Sequence, residues 1–136
     1  MKANLGHLVF GIRTENIAFY RQLFATLGWI NIYDDHGMLG VAGAGDISIW
    51  FGEAPHKTPN DYDAPGLNHV ALGAESIADV DALVGWLREH KVAALFETPR
   101  HRPEFARGPG QTYYQVMFES PDRILFEFVY TGPLPA

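Results

Sequence analysis

The apolar residues of the chain fall into eight short strand-like runs and two stretches with helical spacing. Apolar runs of about four to eight residues, bounded by Gly, Pro, Asn or Asp, are typical of β-strands. The predicted strands are 5–10, 29–33, 38–42, 47–51, 67–72, 92–97, 113–118 and 124–130. Turn residues at 34–37, 43–46 and 120–122 separate several of them.

One amphipathic helix is predicted after the first strand of each half. In the first half Thr14 is predicted as the N-cap, and Gly28 supplies the C-terminal stop. In the second half Ser76 and Asp79 have the spacing of a capping arrangement. The apolar stripes are Ile17, Tyr20, Phe24 and Leu27 in the first helix, and Ile77, Val80, Leu83, Val84 and Leu87 in the second.

The two halves resemble each other, because each opens with Leu-x-His at the head of an apolar run, at 5–10 and again at 67–72. An internal repeat of this kind predicts a duplicated βαβββ unit of the α+β class. We expect one domain, with module 1 at about 3–54, a linker at about 55–65 and module 2 at about 66–132. The main asymmetry is 98–110, whose prolines and glycines predict a long binding loop or lid without regular structure.

Glu127 is the most informative residue of the sequence. It lies in the middle of the last predicted strand, where apolar residues on both faces indicate that the strand is covered on both sides. A buried carboxylate there has to be protonated, ion-paired or bound to a cation. If the halves are related by a pseudo-twofold axis, His7 and His69 occupy equivalent positions and can converge on that axis. These three residues are the predicted metal ligands.

Other interpretations of these residues stay open. A lone strand histidine is more often a packing residue than a ligand, and Glu127 can instead pair with Arg123 or with an arginine of the long loop. Aligning 46–51 with 123–128 places Trp50 opposite Glu127, so a fourth symmetric ligand is absent. The other four histidines, which are His36, His56, His90 and His101, are expected to be solvated.

Composition narrows the chemistry. The chain has 136 residues, 47% of them apolar and 19% charged, and carries no cysteine. Any metal must therefore be held by nitrogen and oxygen, which suits one divalent ion such as Fe(II), Mn(II), Zn(II), Ni(II) or Co(II). A net charge of −6 argues against a nucleic-acid partner, and no apolar run approaches the ~20 residues that span a bilayer. We find no signal-peptide pattern and expect a cytoplasmic protein.

In these motifs the sequence resembles the vicinal oxygen chelate superfamily, which groups glyoxalase I, extradiol dioxygenases, fosfomycin-resistance enzymes and bleomycin-resistance proteins. The matching motifs are Gly6-His7-Leu8-Val9, 17–21 with 27–29, 67–72, and 113–122 leading to 125–127. The resemblance covers nearly the whole chain. It implies paired βαβββ modules that form an open, U-shaped, mainly antiparallel mixed sheet around a metal.

The resemblance also implies roles for individual residues. The ligand positions fall on His7, His69 and Glu127, and the position of the fourth protein ligand of glyoxalase I is held by Trp50. A three-ligand centre of this kind implies a metal-dependent enzyme for a small substrate with vicinal oxygens, with lyase, isomerase or dioxygenase chemistry. The likeness is strongest to glyoxalase-like proteins without an assigned substrate.

The expected pocket walls are Trp50, Tyr113, Gln115 and Met117, the last three of which share one face of their strand. Gln115 is predicted to hydrogen-bond the substrate, and Tyr113 to offer its hydroxyl or its ring; plain core packing is the alternative for Tyr113 and Met117. The loop arginines Arg100, Arg102 and Arg107 either close over an anionic substrate or form a solvated surface.

Two other classes of function remain. A non-catalytic binder of the bleomycin-resistance type would hold a small molecule without a catalytic metal, and a scaffold with a vestigial site would bind neither. A homodimer is expected, because an open sheet leaves edges that need cover. The modules can pair within one chain or across that dimer.

Overall fold

The computed structural model describes residues 1–135, which form two compact units, one of residues 1–59 and one that begins at Asn60. The boundary lies inside the segment predicted as the linker, at about 55–65. No helix within the described residues is long and apolar enough to cross a membrane.

Unit 1 is a four-stranded sheet with one α-helix on one face. Its elements are β1 (His7–Ile12), a 3-10 turn (Thr14–Asn16), α1 (Ile17–Thr26), β2 (Ile30–Asp35), β3 (Met38–Ala42) and β4 (Ser48–Glu53). The strand order is β1-β4-β3-β2, in which β1 and β4 are parallel and the other pairs are antiparallel. The helix follows β1 in the chain and packs its buried residues against the sheet.

The core of unit 1 lies between α1 and the sheet. Tyr20, Leu23 and Phe24 of the helix are buried, and so is Phe51 of β4. The ring of Phe51 lies 4.3 Å from that of Tyr20 and 5.5 Å from that of Phe24, between centroids. Aromatic rings at such separations add specific packing to the apolar burial. The helix face of β4 is therefore fixed, and Trp50, the neighbour of Phe51, points to the opposite face.

Unit 2 repeats this topology. Its elements are β5 (Val70–Gly73), α2 (Ile77–Glu89), β6 (Leu95–His101), a 3-10 turn (Pro103–Phe105), β7 (Gln111–Glu119) and β8 (Leu125–Pro133). The strand order is β5-β8-β7-β6, with β5 and β8 parallel. The predicted duplicated βαβββ unit is confirmed.

Both faces of the unit 2 sheet are defined by its register. On the helix face, Phe118 and Phe126 are cross-strand partners with centroids 5.7 Å apart, and both are buried. The buried residues of α2 that complete this core are Val80, Leu83 and Leu87. The opposite face carries Glu127 together with its β7 partner Met117. We call this second face the site face of unit 2.

The second helix start was predicted correctly and the first was not. Ser76 caps α2, since its Oγ accepts from the backbone NH of Asp79 at 3.1 Å and donates to the Asp79 carboxylate at 2.8 Å. Thr14, the predicted cap of the first helix, is instead the first residue of the 3-10 turn that leads into α1. Because this turn is continuous with the helix, Thr14 lies inside helical structure, and its side chain does not cap α1. At the other end Gly28 has a φ of 78°, the left-handed conformation expected after a helix.

The prediction of an irregular loop over 98–110 was wrong. The strand β6 runs on to His101, and the 3-10 turn Pro103–Phe105 follows. β6 is the edge strand of its sheet, where Pro99 is tolerated because the outer side forms no ladder. A bulge between Leu95 and Arg100 is held by Thr98, whose Oγ1 donates to the Leu95 carbonyl and accepts from the Met117 NH. β7 therefore supplies the pairing that the local sequence does not predict.

The segment predicted as the linker, at about 55–65, also contains a buried residue that its polar composition does not predict. Tyr62 is only 8% exposed and donates its hydroxyl hydrogen bond to Glu119 at the end of β7. The guanidinium of Arg123 lies over the Tyr62 ring, 5.4 Å from its centroid. The start of unit 2 is thereby tied to the turn between β7 and β8.

Candidate functional site

Glu127 is a buried carboxylate on the site face of unit 2, as the sequence predicts, with 3% of its surface exposed. It lies on β8 directly between Ala71 of β5 and Met117 of β7, its register partners. Its neighbours Phe126 and Phe128 point to the helix face and lock β8 in this register. The core packing on the helix side of the sheet therefore fixes the face to which Glu127 points.

His69 is the first partner of this carboxylate. It directly precedes β5, two residues before Ala71, so that it points to the site face. Its Nε2 lies 3.1 Å from the Glu127 Oε2, and 36% of the His69 side chain is exposed. The imidazole therefore has one edge on a buried oxygen while part of the ring is open to solvent.

Tyr113 is the second partner. Its hydroxyl donates a hydrogen bond to the Glu127 Oε1, the oxygen that does not face His69. The pKa of Tyr113 is raised well above its usual value, chiefly because the phenol is partly buried and further because it donates to Glu127. The nearby Arg102 guanidinium opposes this shift. Tyr113 therefore acts as a proton-bearing donor at neutral pH.

Gln115 and Met117 share the site face with Tyr113. Their cross-strand partners on β8 are Val129 and Glu127, so the predicted common parity of the three β7 residues is confirmed. Gln115 is only 2% exposed, whereas Met117 is half-buried. These residues line the sheet on the β7 side of the carboxylate.

An arm built from the end of β6 and the following 3-10 turn contacts this face. Arg102 places its Nη1 3.5 Å from the Gln115 Oε1 and its guanidinium 4.8 Å from the centroid of the Phe105 ring. Phe105 in turn meets the Tyr113 ring edge-to-face at 5.4 Å. Glu104 holds the Arg102 Nε at 2.6 Å. The arm thus brings one cation and one aromatic ring next to the Tyr113–Glu127 pair.

The other loop arginines differ from Arg102 in their placement. Arg107, predicted to line the pocket, lies beyond the 3-10 turn and is exposed. Arg100 is the cross-strand partner of Gln115, and its Nε is the one buried side-chain nitrogen or oxygen in residues 1–135 that has no hydrogen-bond partner. Arg123, the other predicted partner of Glu127, lies instead 3.8 Å from Glu119.

In unit 1, His7 is exposed and opens β1. Two residues later Val9 pairs with Trp50, just as Ala71 pairs with Glu127 in unit 2. The register therefore supports the sequence alignment that makes Trp50 the counterpart of Glu127. The Trp50 ring lies 5.9 Å from that of Tyr33, and its Nε1 donates to the Ser48 Oγ at 3.0 Å. The remaining histidines, at positions 36, 56, 90 and 101, are exposed.

The His69–Glu127 pair fits a divalent metal by its donors and by its spacing. Two ligands that each lie about 2.1 Å from one ion, at right angles, are themselves about 3 Å apart. The 3.1 Å between the His69 Nε2 and the Glu127 Oε2 matches this separation. Over residues 1–135, however, no group of three or more His, Cys, Asp and Glu side chains is close enough to hold a metal. Unit 2 alone therefore supplies two of the three predicted ligands.

Comparison with solved structures identifies the fold. A candidate glyoxalase from Bacillus halodurans is 28% identical over 93% of this chain and 94% of its own, with a TM-score of 0.76. By its structure the chain resembles the proteins of the vicinal oxygen chelate superfamily. Fosfomycin resistance protein FosX from Listeria monocytogenes, complexed with Mn(II) and sulfate, is similar at 20% identity over 98% and 94% of the two chains, with a TM-score of 0.68.

A glyoxalase/bleomycin resistance protein/dioxygenase domain from Frankia sp. EAN1pec shares the vicinal oxygen chelate fold at 20% identity, over 96% of this chain and 98% of its own, with a TM-score of 0.64. No protein-family model and no curated protein matches the chain. These similar structures establish the fold, and the individual activity has to be argued from the site.

Sequence reasoning missed two contributors to this candidate site. Phe105 was hidden in a segment expected to be irregular, although Pro103 at the first position of the 3-10 turn is a recognised start signal. Asn68 was noted only as part of a motif. Its side chain contacts His69 directly, with Oδ1 2.7 Å from Nδ1.

Proposed function

We propose that the protein is a metal-dependent enzyme that acts on a small substrate with vicinal oxygens, by lyase, isomerase or dioxygenase chemistry. One divalent ion, of Fe, Mn, Zn, Ni or Co, would be held by His7, His69 and Glu127. The observation that carries the proposal is the buried Glu127 carboxylate with the His69 Nε2 at 3.1 Å. A charge in this position is stabilised by a cation more effectively than by any neutral neighbour.

His7 completes the ligand set in this proposal. It precedes the β1 partner of Trp50 by two residues, as His69 precedes the β5 partner of Glu127. Equivalent positions in a duplicated unit favour equivalent roles. His7 comes either from the same chain or from a second copy in the expected homodimer. We also propose the cytoplasmic location that the sequence predicts.

The residues around the pair support a role in substrate binding. When bound, a divalent ion would act as a Lewis acid on substrate oxygens. Gln115 and Tyr113 line the site face, with Trp50 and Met117 as further pocket walls. Arg102 brings a cation beside Gln115, and Arg107 would reach the site only on closure of its exposed segment. An anionic group next to the reacting oxygens therefore suits the substrate.

The relatives agree with this assignment at the level of chemistry. The similar FosX structure is a complex with Mn(II), and the Bacillus halodurans relative is a candidate glyoxalase. Manganese belongs to the ions that a nitrogen and oxygen ligand set accepts. The absence of cysteine from this chain requires such a set.

A non-catalytic binding protein of the bleomycin-resistance type is the second candidate. The observation in its favour is that the Tyr113 hydroxyl and the His69 ring already contact both oxygens of Glu127. A protonated His69 would satisfy the carboxylate without a metal. The groove would then hold a ligand by shape and hydrogen bonds.

Metal analysis of protein purified without a histidine tag separates the two candidates. We expect near-stoichiometric metal in the wild type, or after reconstitution with each of the five ions, and its loss in Glu127→Gln. Glu119→Gln is the matched control, because Glu119 also accepts a hydrogen bond from a buried tyrosine, Tyr62, at the other end of β7. It should retain the metal. A wild type that binds none of the five ions would support the binding protein instead.

A further inference from the structure

We propose that Asn68 is a positioning residue that fixes the tautomer of His69, and so keeps the His69 Nε2 lone pair directed at the metal position. This inference rests on the proposed metal site, whose ligands it serves. It assigns a role to a residue outside the ligand set.

The orientation of the Asn68 amide follows from its two contacts. Its Nδ2 lies 2.9 Å from the backbone carbonyl oxygen of Tyr62, which can only accept a hydrogen bond. The NH2 group must therefore face Tyr62, and the Oδ1 faces the His69 Nδ1 at 2.7 Å. An amide oxygen also only accepts, so the Nδ1 of His69 must carry the hydrogen.

The Tyr62 carbonyl is a firm reference point for this orientation. The Tyr62 side chain is buried and is held by Glu119 through its hydroxyl and by the Arg123 guanidinium over its ring. Asn60, two residues earlier, donates from its Nδ2 to the Arg123 carbonyl at 2.9 Å. The segment before β5 is thus fastened at several points, and the Asn68 amide has little freedom to turn.

A neutral His69 with its hydrogen on Nδ1 presents an unprotonated Nε2. This nitrogen lies 3.1 Å from the Glu127 Oε2, so two electron pairs face each other across the gap. The other oxygen of Glu127 already accepts the Tyr113 hydroxyl hydrogen. A cation between the Nε2 and the Oε2 removes the repulsion, and a metal ion requires this imidazole tautomer.

Without Asn68 the opposite tautomer becomes favourable. With its hydrogen on Nε2, the ring would donate to the Glu127 Oε2, and its Nε2 would have no lone pair to bind a metal. Asn68 therefore selects the Nδ1–H tautomer, which can bind a metal through Nε2, over the Nε2–H tautomer, which cannot. The first half of the chain has Gly6 before His7, which supplies no side chain for this purpose. The selection is specific to His69.

Nitrogen-15 NMR of histidine-labelled, metal-free protein reads the tautomer directly, at a pH high enough for neutral imidazoles. His90 serves as an internal reference, because its Nδ1 lies 2.8 Å from the Trp86 carbonyl, which again accepts only. We expect His69 and His90 both to show the Nδ1–H pattern in the wild type. In Asn68→Ala, His69 should change to the Nε2–H pattern while His90 stays unchanged. Asn68→Asp keeps the acceptor and should retain the wild-type pattern.

Zn(II) affinity, measured by competition with a chelator, is the second readout. Loss of a hydrogen bond to a metal-binding histidine lowers metal affinity by about 10–100-fold, and we expect this loss in Asn68→Ala. Asn60→Ala is the matched control, since it removes a similar amide-to-carbonyl bond from the same segment and should leave the affinity unchanged.

The proposal is overturned if wild-type His69 shows the Nε2–H pattern, or if Asn68→Ala changes neither the tautomer nor the Zn(II) affinity. It is also overturned if Asn60→Ala lowers the affinity as much as Asn68→Ala, since the effect would then be a general loss of order. A wild type that binds no metal but shows the Nδ1–H pattern refutes the proposed enzyme while leaving the tautomer assignment intact.

Discussion

Replacing Glu127 by glutamine should stabilise the metal-free protein and destabilise the metal-loaded one, relative to the wild type. Without a metal, the carboxylate is a buried charge whose contacts are the Tyr113 hydroxyl and the His69 ring. The introduced amide keeps an oxygen for Tyr113. It also gains an NH2 group that can donate to the unprotonated His69 Nε2.

The size of the effect follows from the burial of Glu127, which is 97% shielded given its 3% exposure. Moving a carboxylate into such a site costs several kcal/mol, as an effective value for real proteins. Hydrogen bonds to a charged group return about 1.5–3 kcal/mol each. We therefore expect Glu127→Gln to raise the free energy of unfolding of the metal-free protein by about 1–2 kcal/mol, or the Tm by about 3–8 °C.

A bound metal should reverse this order. A ligand present at one hundred times its Kd stabilises the folded state by about 2.7 kcal/mol, and the glutamine variant gains none of this if it no longer binds. The wild type should then unfold at the higher temperature. Glu127→Gln should therefore be more stable than the wild type in the chelator and less stable than the wild type with metal. A simple packing defect does not produce such a change of order.

The assay is thermal unfolding of wild type, Glu127→Gln and Glu119→Gln, each with a chelator and with excess Zn(II). Glu119 is half-buried and pairs with Tyr62 and Arg123, so its variant should lose a little stability in both conditions, with no change of order. A Glu127→Gln protein that melts below the wild type in the chelator would refute the reasoning. The carboxylate would then contribute net stability to the fold by itself.

Two further predictions concern the walls of the site. An Ala Cβ at Gly40 would lie 2.7–2.9 Å from three carbons of the Trp50 ring, so Gly40→Ala should shift that ring, change the tryptophan fluorescence and lower the free energy of unfolding by about 1–3 kcal/mol. The control is Gly85→Ala, where the added Cβ meets open space, and it should neither change the fluorescence nor destabilise the protein. An unchanged spectrum in Gly40→Ala would contradict the packing of Trp50 against Gly40. Because the fold raises the pKa of Tyr113, the protonated phenol contributes stability that is fully present below its unfolded pKa of about 10 and is lost as the pH rises through the folded pKa. Tyr113→Phe should therefore lose less stability than the wild type between neutral and strongly alkaline pH, as measured by urea midpoints. Equal losses in the two proteins would argue against the shift.

Much of the fold was predictable because the local signals and the tertiary structure agree. Period-two alternation gave the faces of β7 and β8 correctly, and the register then paired Met117 with Glu127. The Leu-x-His repeat led to the duplicated unit, and Ser76 capped α2 as its spacing indicates. In each case a residue pattern specifies one geometry without help from distant parts of the chain.

Several features were missed for a different reason, which is that they depend on residues far along the sequence. Pro99 lies in a strand because β7 supports β6 at its inner edge, an effect that no local pattern contains. Tyr62 is buried by Glu119 and Arg123, more than fifty residues away, although its own neighbourhood is polar. The contact of Asn68 with His69 is local, but the orientation of the Asn68 amide depends on where the Tyr62 carbonyl lies.

The two units differ most at the position where the proposed function needs them to differ. Trp50 and Glu127 hold the same place in the β1–β4 and β5–β8 ladders, yet Trp50 is seated over Gly40, whereas Glu127 faces His69. The unit 1 residue cannot bind a metal, and a Cβ at its cross-strand glycine would displace it. Duplication therefore supplied two equivalent positions, and only one of them became a carboxylate. A centre with one carboxylate leaves coordination positions for substrate oxygens, which is what vicinal-oxygen chemistry requires.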